Sequence, residues 1–402
     1  MLTLEDIRHA AETLRGVVRR TQLVHDPYLS ELTGAQLYLE LEKLQRTGAY
    51  KLRGAYNKIQ SLSPQERARG VIAASAGNHA QGVAYAARLV GIPATIVMPE
   101  EAPLTKVNAT RALGAEVILS GTDYDDSYQE ALRLQKERGL AFVHPFDDRQ
   151  VMAGQGTVGL EIAEDLADAE AIIVSVGGGG LISGIAAAAK SLNPKVRLIG
   201  VQAEGCAPGV ESFRQGHLVE WPAVHTIADG IKARRIGDLT FQVMQRYVDE
   251  MLTVSDEEIV QSIVVLLEKS KLVVEGAGAA GLAALLSGRL ALPGRKVVVL
   301  ISGGNIDLNF LSRAIARGLA AVDRYLIIRT RLPDRPGQLA GFLKLLAERG
   351  VNVLDIQHSR IARNVPVDQA EVELTVETRD RAHGEEILAA LRQAGYEIEH
   401  EH

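Results

Sequence analysis

The sequence contains a single cysteine, Cys206, and neither a CxxC nor an HExxH motif. One thiol cannot form an internal disulfide framework, and the missing motifs argue against a zinc site. The chain also lacks an excess of basic residues, since its formal net charge is −6 and no basic stripe suits a nucleic acid. These absences favour a protein of the reducing cytoplasm that does not bind nucleic acid.

No segment has the pattern of a targeting signal or a membrane span. The first residues include acidic side chains and place Leu4, Ile7 and Leu14 at helical spacing, without the basic-then-apolar order of a signal peptide. No apolar run approaches the roughly 20 residues that a membrane helix needs. We therefore expect a cytoplasmic protein with no membrane partner.

From about residue 70 to residue 304 the chain alternates short aliphatic runs with longer amphipathic segments. This order is typical of βαβ units around a covered parallel sheet and predicts a doubly wound α/β region. The runs are GVIAAS, ATIVM, AEVILS, LAFVH, AIIVSV, VRLIGVQ and KVVVLIS. After a helical stretch over residues 308–321, the tail follows the βαββαβ order of a ferredoxin-like domain. We predict a catalytic domain over residues 1–320 and a second domain over residues 324–402.

Three of the predicted strands lead into glycine-rich or polar turns. AIIVSV is followed by Gly177, Gly178, Gly179, Gly180 and Leu181, GVIAA by Ser75, Ala76, Gly77, Asn78 and His79, and VVVLI by Ser302. Helix starts of this kind bind anions, and ligands of open α/β sheets collect at the carboxyl ends of strands. The turns therefore predict one crevice that binds a phosphate and a carboxylate. Simpler interpretations stay open, because the glycines can serve only a tight corner and the polar side chains can serve only as helix caps.

Lys51 lies in TGAYKLRGAYNKI, on the first turn of a predicted helix, where acidic side chains are normally favoured. The helix dipole and burial in a crevice both push an amine toward its neutral, nucleophilic form. A neutral lysine beside a phosphate-binding loop suggests a Schiff base with pyridoxal 5′-phosphate. The alternative is an ordinary solvated lysine, and only the combination with the three loops disfavours it.

Several motifs in a fixed order now make a family resemblance specific. TGAYKLRGAYNKI, SAGNHAQG, AGQGTVGLEI, VGGGGLISG, ADGI and LISGGN resemble the threonine/serine ammonia-lyases among the tryptophan-synthase-β-like, fold type II enzymes that use pyridoxal phosphate. The resemblance covers roughly residues 5–320. It implies two doubly wound lobes, with a smaller lobe of about residues 50–148 inserted in the larger one. The tail, with DRPGQL and GVNVLDI, resembles an amino-acid-sensing ACT domain.

The resemblance also implies roles for individual residues. Lys51 would be the Schiff-base lysine, and Ser302 would face the pyridine nitrogen of the cofactor. The residue before the lysine, commonly phenylalanine in the family, is Tyr50, whose extra hydroxyl needs a partner. The phosphate would be bound by Gly177, Gly178, Gly179, Gly180 and Leu181, and the substrate carboxylate by Ser75, Ala76, Gly77, Asn78 and His79. Asn78 would also lie near the ring hydroxyl of the cofactor.

The sequence predicts no metal site, and Glu204 is only a weak candidate ligand. Glu204 matches the first acidic ligand that related enzymes place beside a divalent ion, but the second ligand is absent from CAPGV. His79 has no partner at metal-ligand spacing. Glu275 also fits the family pattern, either as an acid near the cofactor or as a charge at a helix start, and the sequence does not separate these two interpretations.

The tail predicts control by an amino-acid effector. The candidate effector-binding residues are Asp334, Pro336, Gly337, Gln338, Leu339 and Asn352. The alternative is that DRPGQL is only a helix start with proline at its first position. Isoleucine is the leading candidate effector, and the family suggests a homodimer or homotetramer. Two competing functions stay open: a serine racemase or hydroxyaspartate dehydratase, and a catalytically idle amino-acid sensor.

Overall fold

A computed structural model describes residues 1–321, 323–361 and 365–401. The chain forms two compact units, Met1–Ile306 and Asp307–His402. The helix over residues 308–321 is thus part of the second unit. Within the described residues, no helix combines the length and the apolar composition that crossing a membrane requires.

The first unit contains two sheets. Its strands are β1 (Leu23–His25), β2 (Gln36–Glu40), β3 (Val71–Ala74), β4 (Ala94–Met98), β5 (Glu116–Leu119), β6 (Ala141–Phe142), β7 (Ala171–Ser175), β8 (Arg197–Ala203), β9 (Glu250–Val254) and β10 (Lys296–Leu300). The larger sheet has the order β1-β2-β10-β7-β8-β9, and the smaller one has the order β5-β4-β3-β6. All neighbouring strands are parallel except β1 and β2, which pair antiparallel with Val24 opposite Leu39. The two doubly wound lobes are confirmed, with one antiparallel edge strand that the sequence did not predict.

Helices cover both sheets. They are α1 (Leu4–Leu14), α2 (Pro27–Thr33), α3 (Lys51–Gln60), α4 (Pro64–Arg69), α5 (Asn78–Val90), α6 (Leu104–Ala112), α7 (Tyr124–Arg138), α8 (Arg149–Asp165), α9 (Gly180–Leu192), α10 (Pro208–Gln215), α11 (Asp238–Tyr247), α12 (Asp256–Glu268) and α13 (Gly276–Leu286). Short 3₁₀ turns lie at Glu42–Leu44 and Asp229–Ile231. The larger sheet is buried around residues such as Ile172, Leu198 and Val298, and the smaller one around Val71, Ile96 and Met98. Because both faces are covered, central strands such as β3, β4 and β7 are buried along their whole length instead of alternating.

Glycine contacts bring the helices of the site close together. A Cβ on Gly154 of α8 would lie 2.7 Å from Gly54 Cα of α3, and one on Gly184 of α9 would lie 2.5 Å from the Gly156 nitrogen of α8. Real Cβ atoms do not approach other atoms so closely, so these contacts require glycine. Helix α8 therefore fixes the positions of both α3, which begins with Lys51, and α9, which begins in the glycine run.

The second unit begins with helix α14 (Leu308–Ala321) and continues with β11 (Tyr325–Pro333), α15 (Gln338–Ala347), β12 (Asn352–Ser359), β13 (Gln369–Glu377), α16 (Arg381–Gln393) and β14 (Ile398–Glu401). The antiparallel sheet has the order β12-β13-β11-β14. Alternate residues of β11 and β13 are buried, so one face of the sheet forms a core that includes Phe342 and Ile387. The predicted βαββαβ order is confirmed.

Candidate active site

Lys51 is the first residue of α3, as the sequence predicts. The first turn contains no acidic residue and no side chain caps it, so the mismatch between a lysine and a helix start has no local compensation. The amine Nζ donates a hydrogen bond to the carbonyl oxygen of Pro145 at 2.9 Å. Burial lowers the pKa of this amine to about 8, although the Glu275 carboxylate acts in the opposite direction. Lys51 thus reaches its neutral, nucleophilic form much closer to neutral pH than an ordinary lysine does.

The glycine run connects β7 to α9. Gly179 has a φ of +93°, which favours glycine, and no side chain caps the helix that begins at Gly180. The run packs against Phe146, because a Cβ on Gly178 would lie 2.3 Å from Cγ of Phe146 and one on Gly180 would lie 2.9 Å from Cα of Phe146. Here the glycines do more than form a corner: they admit a neighbouring aromatic residue and leave an uncapped helix start that suits a phosphate.

The amine and the glycine run meet at one turn. Pro145, which accepts the hydrogen bond from Lys51, is followed directly by Phe146, which covers Gly178 and Gly180. Sequence reasoning did not single out these two residues. A usable signal was present, because HPFDD places two aspartates between the short run LAFVH and helix α8, where they suit helix caps.

The loop over residues 75–79 begins where β3 ends, and α5 begins at Asn78. The Ser75 hydroxyl accepts a hydrogen bond from the Gly77 N–H at 3.2 Å, and no side-chain bond is made by the N-cap residue Gly77. The His79 ring lies buried, with Nε2 2.8 Å from the Val143 carbonyl oxygen. Burial first, and the Lys51 charge second, lower the pKa of His79 to about 3. His79 is therefore neutral, and its ring is engaged by a backbone carbonyl.

Asn78 connects its own loop to the loop after β10 and to the start of α13. Its Nδ2 donates to Glu275 Oε1 at 2.6 Å, and its Oδ1 accepts from Asn305 Nδ2 at 2.8 Å. Asn305 Nδ2 also donates to the Thr47 carbonyl oxygen at 2.8 Å, close to the start of α3. The loop after β3 belongs to the smaller sheet, whereas the loops after β7 and β10 belong to the larger one. The crevice therefore lies between two sheets, and side chains such as Asn78 connect its walls.

Glu275 occupies the N-cap position of α13 but makes no capping hydrogen bond. Its side chain bonds Asn78 instead, and a Cβ on the neighbouring Gly303 would lie 2.0 Å from its Oε1. Burial raises the pKa of Glu275 to about 7. Glu275 therefore stands at a helix start by position, but its carboxyl group bonds Asn78 and does not cap the helix.

Ser302 follows β10 and is 4% exposed. Its carbonyl oxygen accepts from the Tyr50 N–H at 3.2 Å, and Gly303 forms an isolated bridge with Ala49. These bonds hold the end of β10 against the start of α3. The next helix in the chain is capped by Asp307, whose Oδ1 accepts from the Phe310 N–H at 2.9 Å. Ser302 is therefore not the cap of that helix.

The Tyr50 ring packs against the core of the larger sheet, and Lys51 Nζ lies 5.2 Å from the ring centroid. Burial, together with the Glu275 carboxylate, raises the pKa of the hydroxyl. The sequence predicted that this hydroxyl needs a partner. None of the hydrogen bonds among the described residues involves it.

A fully buried guanidinium, two residues beyond Lys51, anchors helix α3. Arg53 donates to Glu42 at 2.7 Å and to Glu161 at 2.6 Å, and its Nη1 lies 3.0 Å from the Thr157 hydroxyl. Glu40 lies in the same cluster, and burial raises its pKa to about 8. The cluster connects α3 to α8 and to the end of β2.

The acidic residues of the described chain do not suggest a catalytic metal. Glu204, the weak candidate from the sequence, pairs with Arg289 at 2.6 Å. Carboxylates close enough to share an ion occur at Glu40, Glu42 and Glu161, where Arg53 already binds two of the three groups.

In the second unit, the candidate effector residues lie around the start of α15. Asp334 pairs with Arg360 at 2.8 Å, and Gly337 has a φ of +90° at the N-cap position. The helix begins at Gln338, followed by Leu339, so Pro336 lies before the cap and the interpretation with proline at the first helical position is wrong. Asn352 begins β12, with Nδ2 3.4 Å from Glu377 Oε2.

Family comparison agrees with this geometry. A model described as pyridoxal-phosphate dependent enzyme matches residues 14–303, and a model described as ACT domain matches residues 326–395. The chain belongs to the pyridoxal-phosphate-dependent enzymes of fold type II, and it carries an ACT domain. Pyridoxal 5′-phosphate is its cofactor.

Individual relatives narrow the class further. The chain is 54% identical over 398 residues to the L-threonine ammonia-lyase of Thermotoga maritima, with 99% of each chain covered. The solved structure of the processed form of threonine deaminase isoform 2 from Solanum lycopersicum is 36% identical with a TM-score of 0.73, covering 78% of this chain and 86% of that one. Maize serine racemase is also 36% identical, with a TM-score of 0.75 and coverage of 80% and 98%. The catalytic fold is thus similar to that of both lyases and racemases.

Proposed function

We propose that the protein is an ammonia-lyase that converts L-threonine to 2-oxobutanoate and ammonia, and L-serine to pyruvate and ammonia. The observation that carries the proposal concerns the amine of Lys51. Its pKa is lowered, and it bonds Pro145, whose neighbour Phe146 packs against the glycine run. The near full-length similarity to an L-threonine ammonia-lyase supports this substrate class.

The residues present fit pyridoxal 5′-phosphate. Lys51 supplies an amine that loses its proton readily, as bonding to an aldehyde requires. The uncapped start of α9 after Gly177, Gly178 and Gly179 supplies N–H groups for the phosphate. Asn78 supplies an amide for the ring hydroxyl, and Ser302 supplies a neutral hydroxyl for the ring nitrogen.

When bound, the cofactor supplies an electron sink for the bonding electrons at the substrate Cα. Lys51 would have two tasks: it would hold the cofactor between turnovers, and its Nζ, once free, would accept the Cα proton. Residues 75–79 would orient the substrate by binding its carboxylate at the start of α5. The Cβ hydroxyl takes up one proton, equivalent to the one that Lys51 Nζ removes from Cα, and leaves as water. One water is then consumed when the imine product hydrolyses to the 2-oxo acid and ammonia.

Ser302 directs the reaction toward elimination. A neutral hydroxyl, unlike a carboxylate, does not hold the ring nitrogen of the cofactor protonated, so the electron sink is weaker. A weaker sink favours loss of the Cβ hydroxyl over transfer of the amino group.

The ACT domain adds allosteric control by an amino acid. The proposed effector site is formed by Asp334, Pro336, Gly337, Gln338, Leu339 and Asn352, and L-isoleucine is the leading candidate, which fits a role in isoleucine biosynthesis. A catabolic enzyme with different control is the alternative. A homodimer or homotetramer in the cytoplasm fits the family and the single buried thiol, Cys206.

The second candidate function is a racemase, because maize serine racemase shares the catalytic fold at 36% identity. Release of 2-oxo acid from L-threonine and L-serine, each with and without L-isoleucine and L-valine, separates the candidates, with Lys51→Ala as the inactive control. We expect 2-oxo acid from both substrates and inhibition by isoleucine. Formation of D-serine without 2-oxo acid would favour the racemase, and a protein that reacts with neither substrate would favour the idle sensor.

A further inference from the structure

The segment His144-Pro145-Phe146-Asp147-Asp148, here called the HPFDD turn, connects β6 to α8 and meets several parts of the candidate site. Pro145 accepts the hydrogen bond from the Lys51 amine, and Phe146 fills the space beside Gly178 and Gly180. The turn is thus in contact with both of the groups proposed to hold the cofactor.

The two aspartates of the turn fix neighbouring helices. Asp147 accepts from the N–H groups of residues 238, 239 and 240 at 2.9–3.1 Å and so caps α11 from outside the helix. Helix α11 in turn contacts the carbonyl oxygen of Gly178, which accepts from the Thr240 hydroxyl at 2.7 Å. Asp148 caps α8 and pairs with Lys58 of α3 at 2.6 Å. Two consecutive residues of the turn therefore hold Gly178: Phe146 packs against it directly, and Asp147 acts through Thr240 of α11.

His144 holds the turn itself in shape. Its Nδ1 accepts from the Asp147 N–H at 2.8 Å and from the Phe146 N–H at 3.3 Å. The ring also packs edge-on against Phe146, with centroids 4.7 Å apart. An acceptor on residue i that binds the N–H groups of residues i+2 and i+3 is the pattern that asparagine commonly supplies at turns. Because burial lowers the pKa of His144 to about 4, Nδ1 stays available as an acceptor at neutral pH.

We propose that His144 is a positioning residue for the cofactor: through Nδ1 it shapes the HPFDD turn, which sets the Lys51 amine and the Gly178–Gly180 backbone at the separation that one bound molecule requires. The proposal rests on the function proposed above, in which Lys51 and the glycine run hold the same molecule. Among the described residues, no hydrogen bond joins His144 to the Lys51 amine or to the glycine run, so its effect on them passes through Pro145 and Phe146.

Two substitutions separate the acceptor from the ring. His144→Phe keeps an aromatic ring beside Phe146 but removes the acceptor, whereas His144→Asn removes the ring but keeps an acceptor that can bind the same two N–H groups. The readout is the dissociation constant of pyridoxal 5′-phosphate from the apoprotein, measured by absorbance titration. Thermal unfolding of each apoprotein reports stability separately.

We expect His144→Phe to weaken cofactor binding about tenfold or more, since two hydrogen bonds that shape the site are lost. His144→Asn should stay within about threefold of the original affinity, because it restores those bonds. Unchanged affinity in His144→Phe, or equal losses in both variants, would overturn the proposal, as would a lower melting temperature with unchanged affinity.

A further variant keeps the test decisive if His144→Phe does not fold. Phe146→Leu opens space beside the glycine run, so the preference for pyridoxal 5′-phosphate over pyridoxal, which lacks the phosphate, should fall about tenfold, corresponding to one or two weakened phosphate contacts. An unchanged preference would overturn the proposal. Borohydride reduction of the original holoprotein separates a failure of the proposed function from a failure of this inference. An unlabelled Lys51 would overturn both. A labelled Lys51, together with variants whose cofactor binding is unchanged, would overturn this inference alone.

Discussion

The chemistry of Lys51 depends on what surrounds its amine. Burial favours the neutral form of the amine and outweighs the opposing Glu275 carboxylate. Burial also raises the pKa of Glu275 to about 7, so the two groups approach each other in pKa from opposite sides.

Ser302 provides a test at the same scale. If Ser302 faces the ring nitrogen as proposed, Ser302→Asp would place a carboxylate there, which would strengthen the electron sink and favour amino-group transfer. Ammonia release from L-threonine should fall at least about tenfold, equivalent to about 1.4 kcal/mol in the barrier, and transamination products should appear. Ser302→Asn, of similar shape without the charge, is the control and should produce no transamination. Unchanged ammonia release from Ser302→Asp, without side products, would contradict the role of Ser302.

At the scale of elements, the position of Lys51 follows from how α3 is fixed to α8. The Gly54–Gly154 contact brings the helices together, and Arg53 joins Glu42 to Glu161 across them. A buried guanidinium of this kind contributes mainly by compensating buried carboxylates, because removing it leaves their charges unpaired.

Arg53→Met should therefore lower the free energy of unfolding by about 3–5 kcal/mol. Urea denaturation measures this change. Arg133→Met is the matched control, because Arg133 pairs with Glu130 and Glu137 on the exposed face of α7 and its loss should change stability little. Similar small losses in both variants would show that the buried cluster does not anchor α3.

The pattern of elements explains which parts of the fold could be predicted from sequence. Strands such as β4, β7 and β10 are buried on both faces and flanked by helices, so they form uninterrupted aliphatic runs. Strands β1, β2 and β9 were not predicted, because β1 has three residues and the other two carry charged or polar ends. Strands β1 and β9 are the two edges of the larger sheet and have one neighbour each, so they need less apolar sequence and periodicity does not reveal them. Strand β2 lies inside the sheet, but its five residues begin with Gln36 and end with Glu40, which hides the apolar run.

The candidate site was predicted in part for similar reasons. Lys51, the glycine run and Ser302 stand at the ends of recognisable strands and helices, so their placement followed from local pattern. Pro145 and Phe146 contribute a carbonyl oxygen and a ring, and their partners in the site are distant in sequence. Lys51 and Pro145, for example, are 94 residues apart. A backbone acceptor carries no signature in its own side chain, so only the neighbouring cap residues Asp147 and Asp148 mark this turn in the sequence.

At the scale of the whole molecule, the chain combines two units with separate cores, one for catalysis and one of the ACT type. In the second unit, Gly337 and Gly350 both have positive φ angles, but only Gly337 lies in the proposed effector loop. Comparing the same substitution at Gly337 and at Gly350 therefore separates an effect on effector binding from the effect of backbone strain alone.

Gly337→Ala should raise the concentration of L-isoleucine needed for half-maximal inhibition about tenfold, because a side chain at φ +90° costs about 1–2 kcal/mol and displaces the loop. Gly350→Ala introduces comparable strain at φ +67° outside the loop and should leave the response unchanged. Inhibition curves at a fixed threonine concentration provide the measurement. Equal responses in the two variants would place the effector elsewhere.

Every role proposed for the active site depends on a covalent bond between Lys51 and the cofactor. Borohydride reduction of the holoprotein, followed by peptide mass spectrometry, detects that bond. We expect the added mass of the reduced cofactor on Lys51 and none on Lys58, a lysine of the same helix that is paired with Asp148. Label on another lysine, or an unlabelled Lys51 in a protein that has bound the cofactor, would show that Lys51 does not hold the cofactor.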